Sequence, residues 1–247
     1  MRKLASIQLE RHIVSLSGGK DSTAMLLMML ERGMQVDHIV FCDTGMEFPE
    51  MYTHLKKLKE YIGRDIEVIT PPNTYEFYLG HKVKRSGKIG YGHPDFRNRW
   101  CTALLKRDPF IRFLKKFKGF KVVEYHGIAF DEKERASKNN RKGEHRDIRY
   151  PLIDFCVTES EALSYCYSKG FTWDGLYNTM GRVSCWCCPL SRIGELRVLF
   201  RNFPNLWEKL VELDKLSFRR FRSDYTLTEL TDRFQLELDR EAYEKTC

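Results

Sequence analysis

The first third of the chain alternates short apolar runs with longer stretches of helical spacing. His12–Leu16 is β-branched and apolar and ends at Ser17-Gly18-Gly19, which predicts a buried strand closed by a turn. Thr23–Leu30 (TAMLLMML) is too long and too rich in Leu and Met for a strand and predicts a buried helix over Asp21–Arg32. Asp37–Phe41 predicts a second strand and Pro49–Ile62 a helix with proline near its first turn. Ile66–Ile69 predicts a third strand, stopped by Pro71-Pro72. Strands separated by helices of this length imply right-handed βαβ units and a parallel sheet, so the predicted class is α/β.

Periodicity lapses over Pro71–Trp100, a stretch of glycines, prolines and basic residues that reads as a binding loop or lid. A helix is expected over Thr102–Phe117 and a strand over Lys121–Tyr125, followed by an exposed charged segment, Asp131–Arg149. From Tyr150 the character changes. A short apolar element, Pro151–Ile153, precedes a helix over Glu159–Ser168 capped by Thr158. Helices are expected over Arg192–Phe200, Pro204–Leu216 and the tail Thr226–Lys245. This division places an α/β nucleotide domain in residues 1–145 and a smaller, mostly helical part in 146–247.

With 247 residues, 42% of them hydrophobic and 31% charged, the chain is a globular protein and not a disordered one. Lys plus Arg exceed Asp plus Glu by 42 to 34. The resulting +8 suits a polyanionic partner, and solvated lysines would produce it equally. No run approaches the roughly 18 apolar residues of a membrane span, and the N-terminus lacks the pattern of a secretory signal. A reducing cytoplasm is the expected location, where eight cysteines are thiols or metal ligands before they are disulfides.

Ser17-Gly18-Gly19-Lys20-Asp21-Ser22 stands where a strand gives way to a helix. Glycines there let consecutive N–H groups point into one concavity, and the helix N-terminus adds its positive dipole. Lys20 and the hydroxyls of Ser17 and Ser22 suit phosphate oxygens, and Asp21 suits a magnesium ion. The bland alternative is a tight strand–helix turn without a ligand. The glycines lie too close to the lysine for a Walker loop.

The six residues resemble the PP-loop signature SGGxDS of ATP pyrophosphatases and sulfonucleotide reductases. Phe41-Cys42-Asp43-Thr44-Gly45-Met46-Glu47-Phe48 resembles the second-strand segment of the phosphoadenosine phosphosulfate (PAPS) reductase family. Gly127–Glu132 with Arg135 resembles its later substrate-binding segment, and Tyr150-Pro151-Leu152 its aromatic-proline-apolar stretch. The resemblance spans about Ile13–Pro189. It implies an adenine nucleotide alpha-hydrolase-like fold, a Rossmann-like parallel sheet flanked by helices. ATP and Mg2+ would then lie at the carboxyl edge of the sheet. Ser17, Gly18, Gly19, Lys20, Asp21 and Ser22 would hold the phosphates, Asp43 the ribose or adenine, and Gly127 and Arg135 would complete the nucleotide site. Lys20 and Asp21 would serve catalysis, with attack at the α-phosphate and pyrophosphate leaving.

Cys185 and Cys188 form a C-x-x-C pair inside Cys185-Trp186-Cys187-Cys188, the spacing at which two thiolates grip one metal or cluster. Adding Cys101 and Cys187 supplies four ligands. Members of the resembled family with an iron–sulfur cluster carry cysteine motifs at such positions, implying a 4Fe-4S cluster with zinc as the alternative. The tandem cysteines of adenylylsulfate reductases are replaced here by Cys101-Thr102, with the adjacent pair at Cys187-Cys188. Free catalytic thiols or a redox pair also satisfy the motif, and Cys187 could instead carry sulfur. Cys42, Cys156 and Cys166 read as core residues and Cys247 as an incidental terminal thiol.

Two departures count against sulfate reduction. Ala129 stands where sulfonucleotide-binding members tend to have an arginine, and the chain holds no E-C-G-x-H segment. The basic loop from His81 to Arg99 is interleaved with Tyr75, Phe77, Tyr78, Tyr91, Phe96 and Trp100, the composition of a single-strand-binding surface or of a solvated loop that closes over the nucleotide. The expected function is therefore a PP-loop sulfurtransferase that adenylates a nucleic-acid acceptor, as in tRNA thiolation or DNA phosphorothioation. Its sulfur donor would be of the cysteine desulfurase kind. The alternatives are a sulfonucleotide reductase releasing sulfite and a non-catalytic nucleotide-binding subunit.

Overall fold

The computed structural model describes residues 9–138, 146–183 and 185–246. Expectations about the N-terminal residues 1–8, residues 139–145 and Cys247 lie outside them. The chain forms two compact units, each assembled from separated segments.

The first unit comprises residues up to Asp43, Pro49–Thr70 and Arg107–Asp174. It holds a five-stranded parallel sheet of β1 (Glu10–Leu16), β2 (His38–Cys42), β3 (Glu67–Ile69), β4 (Lys121–His126) and β5 (Arg146–Arg149), in the order β3-β2-β1-β4-β5. Its helices are α1 (Lys20–Glu31), α2 (Pro49–Ile62), α3 (Asp108–Leu114), α4 (Lys133–Lys138), α5 (Pro151–Asp154) and α6 (Glu159–Ser168). Successive strand side chains point to opposite faces, and Ile13 and Val14 are both fully buried, so both faces of β1 are covered. On one face Ile13, Val40 and Val122 pack against Phe110 and Phe113 of α3. Each such apolar side chain contributes roughly 1.5–3 kcal/mol by leaving water. Thr158 caps α6 as its sequence predicts, its hydroxyl accepting the Glu161 N–H at 3.3 Å.

β5 is the element the sequence pattern misses. Its residues, Arg-Asp-Ile-Arg, fall in the segment read as exposed and charged, yet its backbone pairs with β4 as an edge strand. Arg146 binds the fully buried Glu124 with both nitrogens, the second at 2.7 Å. Burial by itself would raise the Glu124 carboxyl, but His126 and Arg146 hold it below the usual range. β5, from the start of residues 146–247, thus belongs to this sheet.

The second unit comprises Thr44–Phe48, Pro71–Lys106 and the residues from Gly175 on. It holds α7 (Leu176–Thr179), α8 (Ile193–Asn202), α9 (Pro204–Lys215) and α10 (Leu227–Thr246). Phe200, Trp207 and Phe234 bring α8, α9 and α10 together, Trp207 edge to face with both phenylalanines. Arg197 and Arg201 of α8 clamp Glu237 and Glu241 of α10 across the same seam. The stretch read as a loop contains a π-helical turn, Phe77–His81, and Thr102–Arg107 is also wound as a π-helix before α3 begins.

Candidate functional site

The order β3-β2-β1-β4-β5 reverses direction between β1 and β4, and ligands of open α/β sheets bind outside the strand carboxyl ends at such a point. The loop leaving β1 is Ser17–Gly19, and α1 starts at Lys20. Gly18 has φ +78°, a conformation that favours glycine, and an added Cβ would also oblige the Met51 side chain to move. The Ser17 hydroxyl meets the Ser22 hydroxyl at 2.9 Å, and Ser22 Oγ donates to the Gly19 carbonyl at 3.1 Å. Gly127, the residue after β4, lies against this loop: a Cβ there would be 2.7 Å from Ser22 N and Cα.

Lys20 is buried, and its Nζ lies 2.9 Å from Asp21 Oδ1 and 3.3 Å from Glu159 Oε1 at the start of α6. Burial raises the Asp21 carboxyl; Lys20 opposes this, while Glu159 and Glu132 add to it. The loop after β4 joins the same neighbourhood, because Asp131 Oδ1 accepts the Glu159 N–H at 3.1 Å. Lys20 is thus a buried cation enclosed by two carboxylates at the start of α1.

A buttress behind the loop has no signature in the sequence. Trp173 Nε1 donates to the Gly18 carbonyl at 2.8 Å, and the Trp173 ring stacks on His54 at 4.3 Å. His54 Nε2 meets Thr23 Oγ1 at 3.0 Å, and burial pushes the imidazole down to about 3, so it is neutral at ordinary pH. Glu159 is equally invisible in sequence. Read locally it only follows a cap.

Asp43 and Arg135, the other expected nucleotide residues, each hold a partner of their own. Asp43, just past β2, accepts the Tyr52 hydroxyl at 2.7 Å. Arg135 is mostly exposed and pairs with Glu132 at 2.9 Å. His126 lies 3.3 Å from Glu124. Ala129 is fully buried.

In the second unit the Thr44–Phe48 segment serves the cysteines. The buried Glu47 carboxylate accepts from Thr44 Oγ1 at 3.2 Å, Lys106 Nζ at 3.1 Å and the Cys185 thiol at 3.6 Å. The Trp186 N–H donates to the Met46 carbonyl at 3.1 Å, tying the cysteine turn to that segment. Burial pushes Cys185 up to about 12, with Lys106 opposing and Glu47, Cys188 and Cys101 adding. Cys187 is also raised well above the ordinary thiol range, by burial and then by Cys185, Cys188, Cys101 and Glu47. The four expected cysteines are thus electrostatic neighbours, and all are free thiols. Among the described residues, no three His, Cys, Asp or Glu side chains are arranged to hold a metal ion. The Tyr75 hydroxyl is buried without a well-formed hydrogen bond, and burial followed by Cys187, Cys101 and Cys185 raises it.

Three cysteines expected in the core divide. Cys166 is buried, its thiol donating to the Lys20 carbonyl at 3.4 Å, and Cys42 packs against the β1–α3 core. Cys156 is exposed, in a turn with φ +56°. Of the aromatics read as base-stacking, Tyr75, Tyr78 and Trp100 are buried against one another, because a compact turn needs an apolar base. Among the described residues, no helix is long and apolar enough to cross a membrane.

Residues 11–191 match the model of the phosphoadenosine phosphosulfate reductase domain. The uncharacterized protein MJ0066 of Methanocaldococcus jannaschii is 29% identical over 214 residues, 80% of this chain and 40% of that protein. The uncharacterized protein MJ0973 of the same organism is 25% identical over 81% of this chain and 47% of its own length. The chain therefore spans less than half of these curated relatives. A crystal structure of phosphoadenylyl-sulfate (PAPS) reductase from Candida auris, a phosphate complex, superposes with a TM-score of 0.47 at 14% identity, covering 70% of this chain and 81% of that one. With a glycine-rich loop at the sheet's switch point and a family model matched from β1 to the cysteine turn, the chain belongs to the PAPS reductase domain family, within the PP-loop, adenine nucleotide alpha-hydrolase-like superfamily.

Proposed function

We propose that the chain binds ATP with magnesium, adenylates a nucleic-acid acceptor with release of pyrophosphate, and supports replacement of the adenylate by sulfur. The observation that carries the nucleotide part is the Ser17–Ser22 loop, seated between the ends of β1 and β4 with Gly127 against it. Loop amides and Lys20 would offset charge developing on the α-phosphate, and Asp21 would ligate magnesium. Asp43 would contact the ribose or adenine, and Arg135 would turn from Glu132 to the nucleotide. An acceptor oxygen attacks the α-phosphorus and pyrophosphate leaves. A sulfur nucleophile from a donor such as a cysteine desulfurase then displaces AMP.

The donor set of Cys101, Cys185, Cys187 and Cys188 suits a soft metal in its chemistry, four uncrosslinked thiols within electrostatic reach of one another. They would hold a 4Fe-4S cluster, with zinc as the alternative, and such a group would supply a soft centre for sulfur. Alternatively Cys187 stays outside the ligand set and carries the sulfur itself. A cytoplasmic setting would keep these thiols reduced.

A second reading, favoured by the family's description, is a sulfonucleotide reductase in which a thiol attacks PAPS or adenylylsulfate and sulfite is released. The buried Ala129 disfavours it, since no guanidinium is available there to clamp sulfate. The decisive experiment offers anaerobic protein and magnesium each of ATP, PAPS and adenylylsulfate, with and without RNA or DNA. AMP and pyrophosphate from ATP, lost in Asp21→Asn, support adenylation. Sulfite from a sulfonucleotide establishes the reductase instead, and binding without turnover makes the chain an accessory subunit.

A further inference from the structure

We propose that the hairpin Lys82–Gly90, with Phe96 and Phe218, is a docking surface for single-stranded nucleic acid. This rests on the nucleic-acid acceptor of the reading above and names the surface that would hold it.

The hairpin is ordered by its own backbone. Val83 and Ile89 form an antiparallel bridge, the Lys84 N–H donates to the Lys88 carbonyl at 2.9 Å, and the Gly90 N–H to the Lys82 carbonyl at 2.8 Å. It stands on the π-helical turn, through Tyr91 N–H to the Tyr78 carbonyl at 2.9 Å and Gly92 N–H to the Leu79 carbonyl at 3.0 Å. Behind it, Trp100 is stacked with Tyr91 at 5.7 Å and packed against Tyr75 and Tyr78. A solvated flexible loop would not need that base.

The hairpin, and the residues that follow it in chain or pack beside it, carry apolar groups that water-facing turns have no reason to present. Val83 is 63% exposed, Ile89 60%, Phe96 71% and Phe218 65%. Lys84 Nζ sits 5.1 Å above the Tyr91 ring and 5.4 Å above the Phe218 ring, which places Phe218 beside the hairpin. Arg97 lies over Phe96 at 5.1 Å. An exposed ring flanked by a cation offers a base both a stacking face and a nearby counter-charge.

Charge selects the partner. Between His81 and Trp100 the chain carries Lys82, Lys84, Arg85, Lys88, Arg97 and Arg99 against one acid, Asp95, and Arg219 occupies that acid at 2.7 Å. No carboxylate among the described residues forms an ion pair with any of the six. Elsewhere in the same unit Arg197, Arg201, Lys215, Arg220, Arg222 and Arg233 all have acidic partners. Six clustered cations without carboxylates, interleaved with exposed rings, match a phosphate backbone with accessible bases. A duplex hides its base faces, so single strands fit better.

The test is fluorescence anisotropy of the full chain with labelled 20-nucleotide single strands of RNA and DNA, without ATP, across a salt series. Binding should weaken with salt. Lys84→Ala/Arg85→Ala/Lys88→Ala should lose affinity about 10-fold or more and reduce the log–log salt slope by roughly 2, at about 0.7 per phosphate. Phe96→Ala and Phe218→Ala should each weaken binding roughly 5-fold or more with the slope unchanged. Circular dichroism confirms folding, and Lys88→Glu provides a second charge variant. No binding at low salt, equal or better binding of a duplex, or variants that bind like the parent would each overturn the proposal. ATP binding measured in parallel separates the readings: strand binding without ATP binding leaves the surface standing, and the converse removes the surface alone.

Discussion

A Cβ on Gly127 would lie 2.7 Å from the backbone nitrogen and Cα of Ser22, so the residue leaving β4 is pressed directly against the glycine-rich segment leaving β1. The contact is backbone to backbone, and no side-chain rotation can relieve it. Gly127→Ala should therefore destabilise the fold by about 1–3 kcal/mol and shift Ser22, weakening nucleotide binding at least several-fold. Thermal denaturation and ATP titration check this. Unchanged affinity would mean that the loop's position does not matter to the ligand.

The Trp173–Gly18 hydrogen bond makes a second prediction. Trp173→Phe keeps most of the ring but leaves the buried Gly18 carbonyl with only the longer bond from Thr23 Oγ1 at 3.5 Å, at a cost of about 1–2 kcal/mol. Its effect should extend to nucleotide affinity, since Gly18 shapes the loop. A variant as stable and as avid as the parent would show that Met51 and the backbone hold the loop alone.

His54 supplies a pH dependence. Burial lowers it from an ordinary 6.5 to about 3, so the unfolded chain takes up a proton that the folded chain refuses. Stability is complete above about pH 6.5 and falls as pH drops toward 3, at up to about 1.4 kcal/mol per unit. In His54→Gln that part of the slope should vanish in urea titrations at successive pH values. An unchanged slope would assign the acid sensitivity elsewhere.

Lys20 is held by Asp21 at 2.9 Å and Glu159 at 3.3 Å. Glu159→Gln removes one carboxylate from Lys20 and one source of the raised Asp21 carboxyl. Pyrophosphate or ATP should bind a few-fold tighter, and the magnesium requirement should persist to lower pH. Weaker binding would make Glu159 part of the ligand's own site.

The cysteines should differ sharply in reactivity. Iodoacetamide under native conditions, followed by peptide mass spectrometry, should label exposed Cys156 first. Cys185, pushed up to about 12, and the buried Cys187 should react only slowly or on unfolding. Early labelling of Cys187 would contradict its burial and favour a mobile carrier thiol.

Much of the first unit was legible along the chain. β1, α1, β2, α2 and β4 follow the apolar periods, and Thr158 announces α6, because these signals act over a few residues. The glycine-rich loop was legible for the same reason, its chemistry lying within six consecutive residues. β5 was not, since its pairing with β4 and the Arg146–Glu124 contact depend on a distant strand. Nor was the reach of Thr44–Phe48 to Cys185, or of Trp173 to Gly18, separated by 138 residues from Glu47 and by 155 from Gly18. Spacing marked Cys185 and Cys188, and the family resemblance added Cys101 and Cys187 as expected ligands. Only packing decided that Glu47 and Lys106 accompany them and that Tyr75, Tyr78 and Trp100 turn inward, leaving Phe96 and Phe218 outside. Local pattern records which residues can make an element, whereas burial and partnership depend on which elements meet.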